Sequence, residues 1–261
     1  VSALELDFWI FVAVCFLTWI TSVITKEYSW VDRIWSVIPI VYVWVFAYYE
    51  SLDNLRLDLM AVLVTFWGAR LTFNFARKGG YAPGGEDYRW AILRQKMNPA
   101  LYQVFNIFFI VIFQNALLLA IAIPANLALN TPQQLNQTDF LFGAAFLLLL
   151  IFETVADQQQ WEFHLLKKAG KTTKGFLDTG LFAVSRHPNF FAEQAQWWVL
   201  AGWGIVTANG HVEYLTGAIV LTALFLGSAR FTEQISSGKY TEYKDYQRRV
   251  SMMIPWFPKK K

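Results

Sequence analysis

GLFAVSRHPNFFAEQAQWWVLAGWG, residues 180–204, sets a compact polar cluster directly before an apolar stretch. Ser185, Arg186, His187, Pro188 and Asn189 are consecutive, and Glu193 follows four residues after Asn189. Proline suits the first turn of a helix, because the N–H it lacks would be unpaired there anyway. The spacing therefore predicts a helix that opens at Pro188, its positive N-terminal end flanked by Arg186 and His187. Such an end beside an arginine suits a phosphate or pyrophosphate. Asn189 and Glu193, spaced i and i+4, share one face and can bond a neutral polar group such as a carboxamide. The plainer alternative is an ordinary capped helix with a histidine at the membrane surface.

What surrounds this stretch is apolar. The chain has 261 residues, 56% hydrophobic and only 16% charged, whereas soluble domains carry about 25% charged residues. The excess has to face lipid. A net charge of +3 is too small to argue for a nucleic-acid partner. Cys15, the one cysteine, excludes an intramolecular disulfide and a cysteine-based zinc site. Crossing a bilayer takes roughly 20 apolar residues. Seven stretches approach that length, at about 4–24, 30–49, 57–76, 100–127, 140–155, 190–208 and 214–231. The expected fold is thus an all-α integral membrane protein of seven transmembrane helices, forming a single domain over 1–261. With seven spans, all Lys and Arg residues except Arg56 fall on one side. The positive-inside rule then puts the N-terminus outside and the C-terminus in the cytosol. Any chemistry is then expected at the cytosolic face.

A charged residue at the centre of a membrane helix costs about 2.5–3.5 kcal/mol, so those present need partners or a wet cavity. Asp32 and Arg33 open the second stretch, Arg70 lies in the third, and Gln114 and Asn115 in the fourth. Glu153 and Asp157 end the fifth; Glu193, Gln194 and Gln196 open the sixth; Arg230 and Glu233 end the seventh. They can be inter-helix pairs and headgroup anchors, or they can line a polar cavity. Their concentration on one side favours the cavity. Glu153 and Asp157 repeat the i, i+4 geometry and suit ribose hydroxyls, amines, or pairing with Arg70 or Arg230. Metal is the weakest option, because His164 and His187 lack ligand spacing. Tyr240, Tyr243 and Tyr246 recur at period three beside Arg248 and Arg249, either as interfacial aromatics or as a platform for a nucleotide. Glycine pairs at 79–80 and 84–85 bracket Pro83 in a lid or turn. No G-x-G-x-x-G, P-loop or G-x-S-x-G pattern occurs, so Rossmann, Walker and serine-hydrolase sites are excluded.

Taken together, SRHPNFFAE (185–193), ETVADQQQWEF (153–163), DTGLF (178–182) and YKDYQRRVSMMIPWFP (243–258) resemble the membrane steroid 5-alpha-reductase family, its bacterial branch in particular. The likeness covers Glu153 to Pro258 as a cofactor-binding region. It extends more weakly to FWGARLTFNFARKGG (66–80) and SWVDRIWS (29–36). The resemblance implies a seven-helix fold that holds NADPH in a cytosol-facing cavity. It also implies reduction of the conjugated C=C of a steroid-like 3-oxo-Δ4 enone. Asn189 and Glu193 match the family's residues near the nicotinamide. Arg70, Asp157 and, less closely, Glu153 match other cofactor residues. Arg186 and His187 are expected toward phosphate, and Tyr243 and Tyr246 toward the nucleotide. Ala192 stands where a glycine is common. The family's acid groups, a tyrosine on the third helix and a Gln-Glu pair on the second, are replaced by Trp67 and by Asp32-Arg33. Asp32 and Arg33, with Glu193, are accordingly the catalytic candidates. Hydride would pass to the β-carbon while a donor stabilises the enolate oxygen, and a proton would reach the α-carbon. The expected partners are a lipophilic enone and the bilayer, with no nucleic acid. The RHPN element is shared with isoprenylcysteine methyltransferases, so an S-adenosylmethionine-dependent lipid methyltransferase is the alternative. A non-catalytic scaffold or transporter is a third class.

Overall fold

Ser2 starts the first helix: its hydroxyl accepts from the Glu5 N–H at 3.2 Å, and the Glu5 carboxylate returns to the Ser2 N–H at 2.6 Å. This reciprocal cap satisfies two N–H groups that the helix itself leaves open. The helix, α1, runs Ala3–Thr25 and stops at Lys26, which takes a left-handed φ of 57°. A short α2 (Trp30–Ile34), α3 (Ile38–Tyr49) and α4 (Leu55–Arg77, capped by Asn54) follow. Asp87 caps α5 (Tyr88–Lys96), and Asn98 with Pro99 starts α6 (Pro99–Phe105). A π-helical stretch, Asn106–Phe113, leads into α7 (Gln114–Ala122). Then come α8 (Gln137–Lys168), α9 (Pro188–Ala208), α10 (Thr216–Lys239) and α11 (Tyr243–Arg249). The computed structural model describes residues 1–131 and 134–259. Pro132, Gln133, Lys260 and Lys261 lie outside the described residues.

All regular structure among the described residues is helical, as the sequence predicts. Among the described residues, five helical segments are long and apolar enough to cross a bilayer: Ala3–Thr25, Leu55–Arg77, Pro99–Leu129, Gln137–Lys168 and Val212–Lys239. The stretch expected at 30–49 breaks into α2 and the 12-residue α3, about 18 Å of helix at 1.5 Å per residue. The 21-residue α9 has the length, but its early turns carry Glu193, Gln194 and Gln196.

The chain forms two compact units, residues 1–143 with 200–217, and residues 144–199 with 218–261. In the first unit α1 turns Phe8, Trp9, Phe16 and Leu17 outward and buries Asp7, Thr18 and Ser22. Tyr42, Phe46, Leu57, Met60 and Trp67 are fully enclosed. Helices α3 and α4 lie close together, Trp44 Nε1 donating to Thr65 Oγ1 at 2.8 Å. Gly68 packs where a Cβ would stand 2.3 Å from the Ser36 carbonyl oxygen, so any side chain there would push the two backbones apart. Arg56, the basic residue that the positive-inside pattern leaves over, is buried. Its guanidinium grips both oxygens of Asp139 at 2.6 and 2.9 Å and donates to Thr131 Oγ1 at 2.6 Å. Trp203 Nε1 completes the carboxylate at 2.8 Å.

The second unit is knit by aromatic side chains and by its C-terminal segment. Phe190 meets Phe225 edge-on at 4.8 Å, and Trp198 Nε1 donates to Thr222 Oγ1 at 2.9 Å. Residues 184–187 pair with the tail through backbone bonds: Arg186 N–H to Ser251 O, His187 N–H to Met252 O, and Trp256 N–H to Val184 O.

Candidate functional site

Helix α9 begins at Pro188, as the Arg-His-Pro-Asn spacing predicts. Its inward face carries Asn189, Glu193 and Gln196, one turn apart, against the middle turns of α8, where Glu153 and Asp157 occupy the matching i, i+4 positions. Asn189 Nδ2 donates to Asp157 Oδ1 at 3.3 Å, and Gln196 Nε2 donates to Glu153 Oε2 at 2.7 Å. Glu153, Asp157 and Glu193 are each less than 5% exposed and Gln196 is fully buried. Three carboxyl groups and the Gln196 amide are thus held out of water along one seam, with Asn189 half-buried at its end. The seam also leaves a polar atom open, because Gln196 Oε1 is buried with no hydrogen-bond partner. Ala192, in the same turn, is fully buried. A seam of this kind can receive a group that both donates and accepts, such as a carboxamide. Among the described residues no cluster of His, Cys, Asp and Glu is arranged to hold a metal.

Sequence reasoning missed Gln196 as a site residue, although it lies three residues beyond Glu193 and shares its face. Gln159 was missed too. Its side-chain oxygen accepts from the Leu181 N–H at 2.9 Å and ties the loop before α9 to α8.

Arg186 and His187, expected toward phosphate, are engaged elsewhere. Arg186 Nε and Nη2 bind the two oxygens of Glu233 at 2.5 and 3.0 Å, and its Nη1 donates to the carbonyls of Gln247 and Val250. His187 Nε2 lies 3.1 Å from Glu233 Oε1, and Gln247 Nε2 donates to Glu233 Oε2 at 2.9 Å. This network fastens α10, α11 and the tail around the start of α9. The arginine therefore positions that helix end from within the fold. Tyr243 and Tyr246 likewise turn inward. Both are buried, packed on Phe176, with the Tyr246 hydroxyl donating to the Phe182 carbonyl at 2.5 Å. Burial raises both phenols above their ordinary range. Tyr240 is the more accessible member of the three. It accepts a bond from Lys167 Nζ at 2.9 Å, which lowers its phenol.

The remaining candidates lie in the first unit: Arg70 on α4, half-buried, and Asp32 and Arg33 on α2. Asp32 accepts from Trp90 Nε1 at 2.8 Å. Arg33 donates to Glu27 at 2.6 Å and to the Gly80 carbonyl at 3.2 Å, and its carbonyl accepts from the Tyr81 hydroxyl at 3.0 Å. Arg33 thus holds the loop 78–87, and Asp32 fastens Trp90 of α5. The glycine-rich loop is correspondingly tied down. Glu27 Oε1 accepts from the Gly84 N–H at 2.8 Å, and Glu86 accepts from the Tyr28 N–H at 2.7 Å.

This loop gives a pH prediction. The Gly84 N–H bond and Arg33 lower the Glu27 carboxyl below its ordinary value. A depressed carboxyl stabilises the fold above its unfolded-state pKa and loses that contribution as pH falls through its folded value. Acidification from the ordinary glutamate range downward should therefore release the loop, read as a falling protection factor of the Gly84 amide, its observed exchange rate being compared with the intrinsic rate at each pH. The Glu27→Gln variant should show little protection at any pH; a protected Gly84 amide in that variant would show that the loop is held without Glu27.

Comparison with known proteins places these features in a family. Residues 18–250 match the family described as "Protein of unknown function (DUF1295)", and the chain belongs to that family. It is 36% identical over 258 residues to an uncharacterized protein of Schizosaccharomyces pombe, covering 91% of this chain and 75% of the relative. No solved structure matches the chain.

Proposed function

We propose that the protein is a membrane-embedded, NADPH-dependent reductase acting on the conjugated C=C of a lipophilic, steroid-like enone. The observation that carries this reading is the buried α8–α9 seam. There Asp157 fixes Asn189, Glu153 fixes Gln196, and the Gln196 oxygen stays open as an acceptor. That donor and acceptor set fits a nicotinamide carboxamide, and the resemblance of residues 153–193 to membrane steroid 5-alpha-reductases supports it independently. NADPH would supply the hydride. The chain's own share is to orient the carboxamide with Asn189, Glu193 and Gln196, and to keep water out of a seam whose carboxyl groups and Gln196 are buried. Preorganised polar groups in so dry a setting act far more strongly than in water. Seven spans in a bacterial inner membrane, an outside N-terminus and a cytosolic cofactor face belong to the same proposal.

The test is fluorescence titration of NADPH into the detergent-solubilised protein. Asn189→Ala and Glu193→Ala should each weaken binding by about 1.5–3 kcal/mol, the usual cost of losing a hydrogen bond to a charged or buried partner. Unchanged affinity in both variants, or S-adenosylhomocysteine co-purifying in place of NADP(H), would overturn the reading.

A further inference from the structure

The buried face of α1 carries polar groups that the proposed hydride chemistry does not use. Asp7 is fully buried, and neither of its carboxyl oxygens has a hydrogen-bond partner. The Tyr42 hydroxyl of α3 is also fully enclosed and unpartnered, and it lies within electrostatic range of both Asp7 and Cys15. Further along α1, Thr18 Oγ1 accepts from Asn115 Nδ2 at 3.2 Å, and Ser22 Oγ accepts from Asn106 Nδ2 at 3.0 Å. In both asparagines the amide nitrogen is used and the buried Oδ1 is left over. One turn before Asn106, the Tyr102 hydroxyl is 2% exposed and again without a partner. The Tyr102 ring packs edge-on against Tyr28 at 4.8 Å, just beyond the end of α1.

These atoms are not scattered. Asp7 to Ser22 is 15 residues of helix, about 22 Å at 1.5 Å per residue, so the series follows most of the length of one apolar span. An isolated buried oxygen in a membrane helix is costly, and buried oxygens ordinarily find a protein or water partner. Here the unpartnered ones recur along one seam, all from side chains that can accept a hydrogen bond. Internal waters bridge such groups where several polar atoms converge. The elements packed on α1 bring little charge to it. The π-helical stretch and α7 contain no ionisable side chain, and α3 contributes Tyr42 as its buried titratable group. Asp32 and Arg33 of α2 are engaged with Trp90, Glu27 and Gly80.

We infer that this seam is a file of internal waters through the N-terminal bundle, from Asp7 past Tyr42, Asn115 and Asn106 to Tyr102, with Asp7 as its proton-binding end. In that arrangement the carboxyl O–H bond breaks to a neighbouring water and re-forms from it. No oxidant or cofactor takes part. The file is separate from the α8–α9 seam and stands whether or not NADPH is bound.

Radiolytic hydroxyl footprinting of the whole protein in lipid nanodiscs tests the file, because radicals form at bound waters and attack the rings beside them. Tyr42 and Tyr102 should be modified severalfold faster than Phe46 and Phe146, which are equally enclosed. Equal rates for the two pairs would overturn it. Infrared spectroscopy tests its end. Asp7→Asn should remove one carboxylic C=O band, and in the unaltered protein that band should shift within minutes of transfer to D₂O. No such band, or one unshifted after a day, would overturn the role given to Asp7.

Discussion

Replacing Glu233 by alanine is expected to be among the most damaging single changes in the protein. Its two oxygens receive Arg186, Gln247 and the ring nitrogen of His187, all in a setting where Arg186 and Glu233 are each less than a tenth exposed. Removing the acid leaves an arginine buried without its counter-charge, which costs about 3–5 kcal/mol. The loss also has a location. The Arg186 side chain holds the carbonyls of Gln247 and Val250, its own N–H pairs with Ser251, and that of His187 pairs with Met252. The segment from 250 to 257 should therefore come loose first. Limited proteolysis should cut there in Glu233→Ala at temperatures where the parent resists, with a lower Tm in detergent. The paired change Arg186→Met with Glu233→Met should recover part of the loss, because two apolar groups leave no orphan charge. A tail that stays protected in Glu233→Ala would mean that backbone pairing alone secures it.

The second large effect is expected at Arg56 and Asp139, which are 1% and 0% exposed. Arg56→Leu strands a carboxylate that still faces Trp203, and Asp139→Leu strands a guanidinium that still faces Thr131. Each should cost about 3–5 kcal/mol. The double variant should cost clearly less than the sum of the two, since most of each penalty is the unpaired partner rather than the lost bond. Simple addition of the two losses in thermal or denaturant unfolding would contradict the pairing. The positive-inside pattern has a physical complement here, because the basic residue it leaves over is not facing solvent but neutralised inside the first unit.

Much of the candidate site was legible beforehand, because a helix has one period. Asn189 with Glu193, and Glu153 with Asp157, are i, i+4 pairs, and any helix through them must put each pair on one face. Pro188 fixes where the later helix begins. What spacing cannot show is which distant partner a side chain meets. Arg186 and His187 looked free to bind an anion. They meet Glu233 and two carbonyls that arrive from 46 to 64 positions later in the chain. Tyr243 and Tyr246 kept their helical period, but the face they share packs on Phe176 and looks inward. The break in the stretch at 30–49 was hidden for another reason. Residues 35–37 are Trp, Ser and Val, without a proline or glycine to mark the end of α2.

The sequence by itself determined an all-helical chain rich enough in apolar residues for a bilayer. It also determined the start of α9 and the two polar faces that α8 and α9 carry. Those follow from composition and local periodicity, which each segment possesses alone. Only the tertiary structure decided that Arg33 secures the 78–87 loop while Asp32 holds Trp90, and that Glu233 takes Arg186 and His187 into the fold. It also decided that Gln196 joins Glu153 in the seam that Asn189 and Glu193 open. The physical reason is that a charge or amide buried among apolar helices must be matched by whatever long-range neighbour the packing supplies. That neighbour's identity is a property of the folded chain, not of the spacing along it.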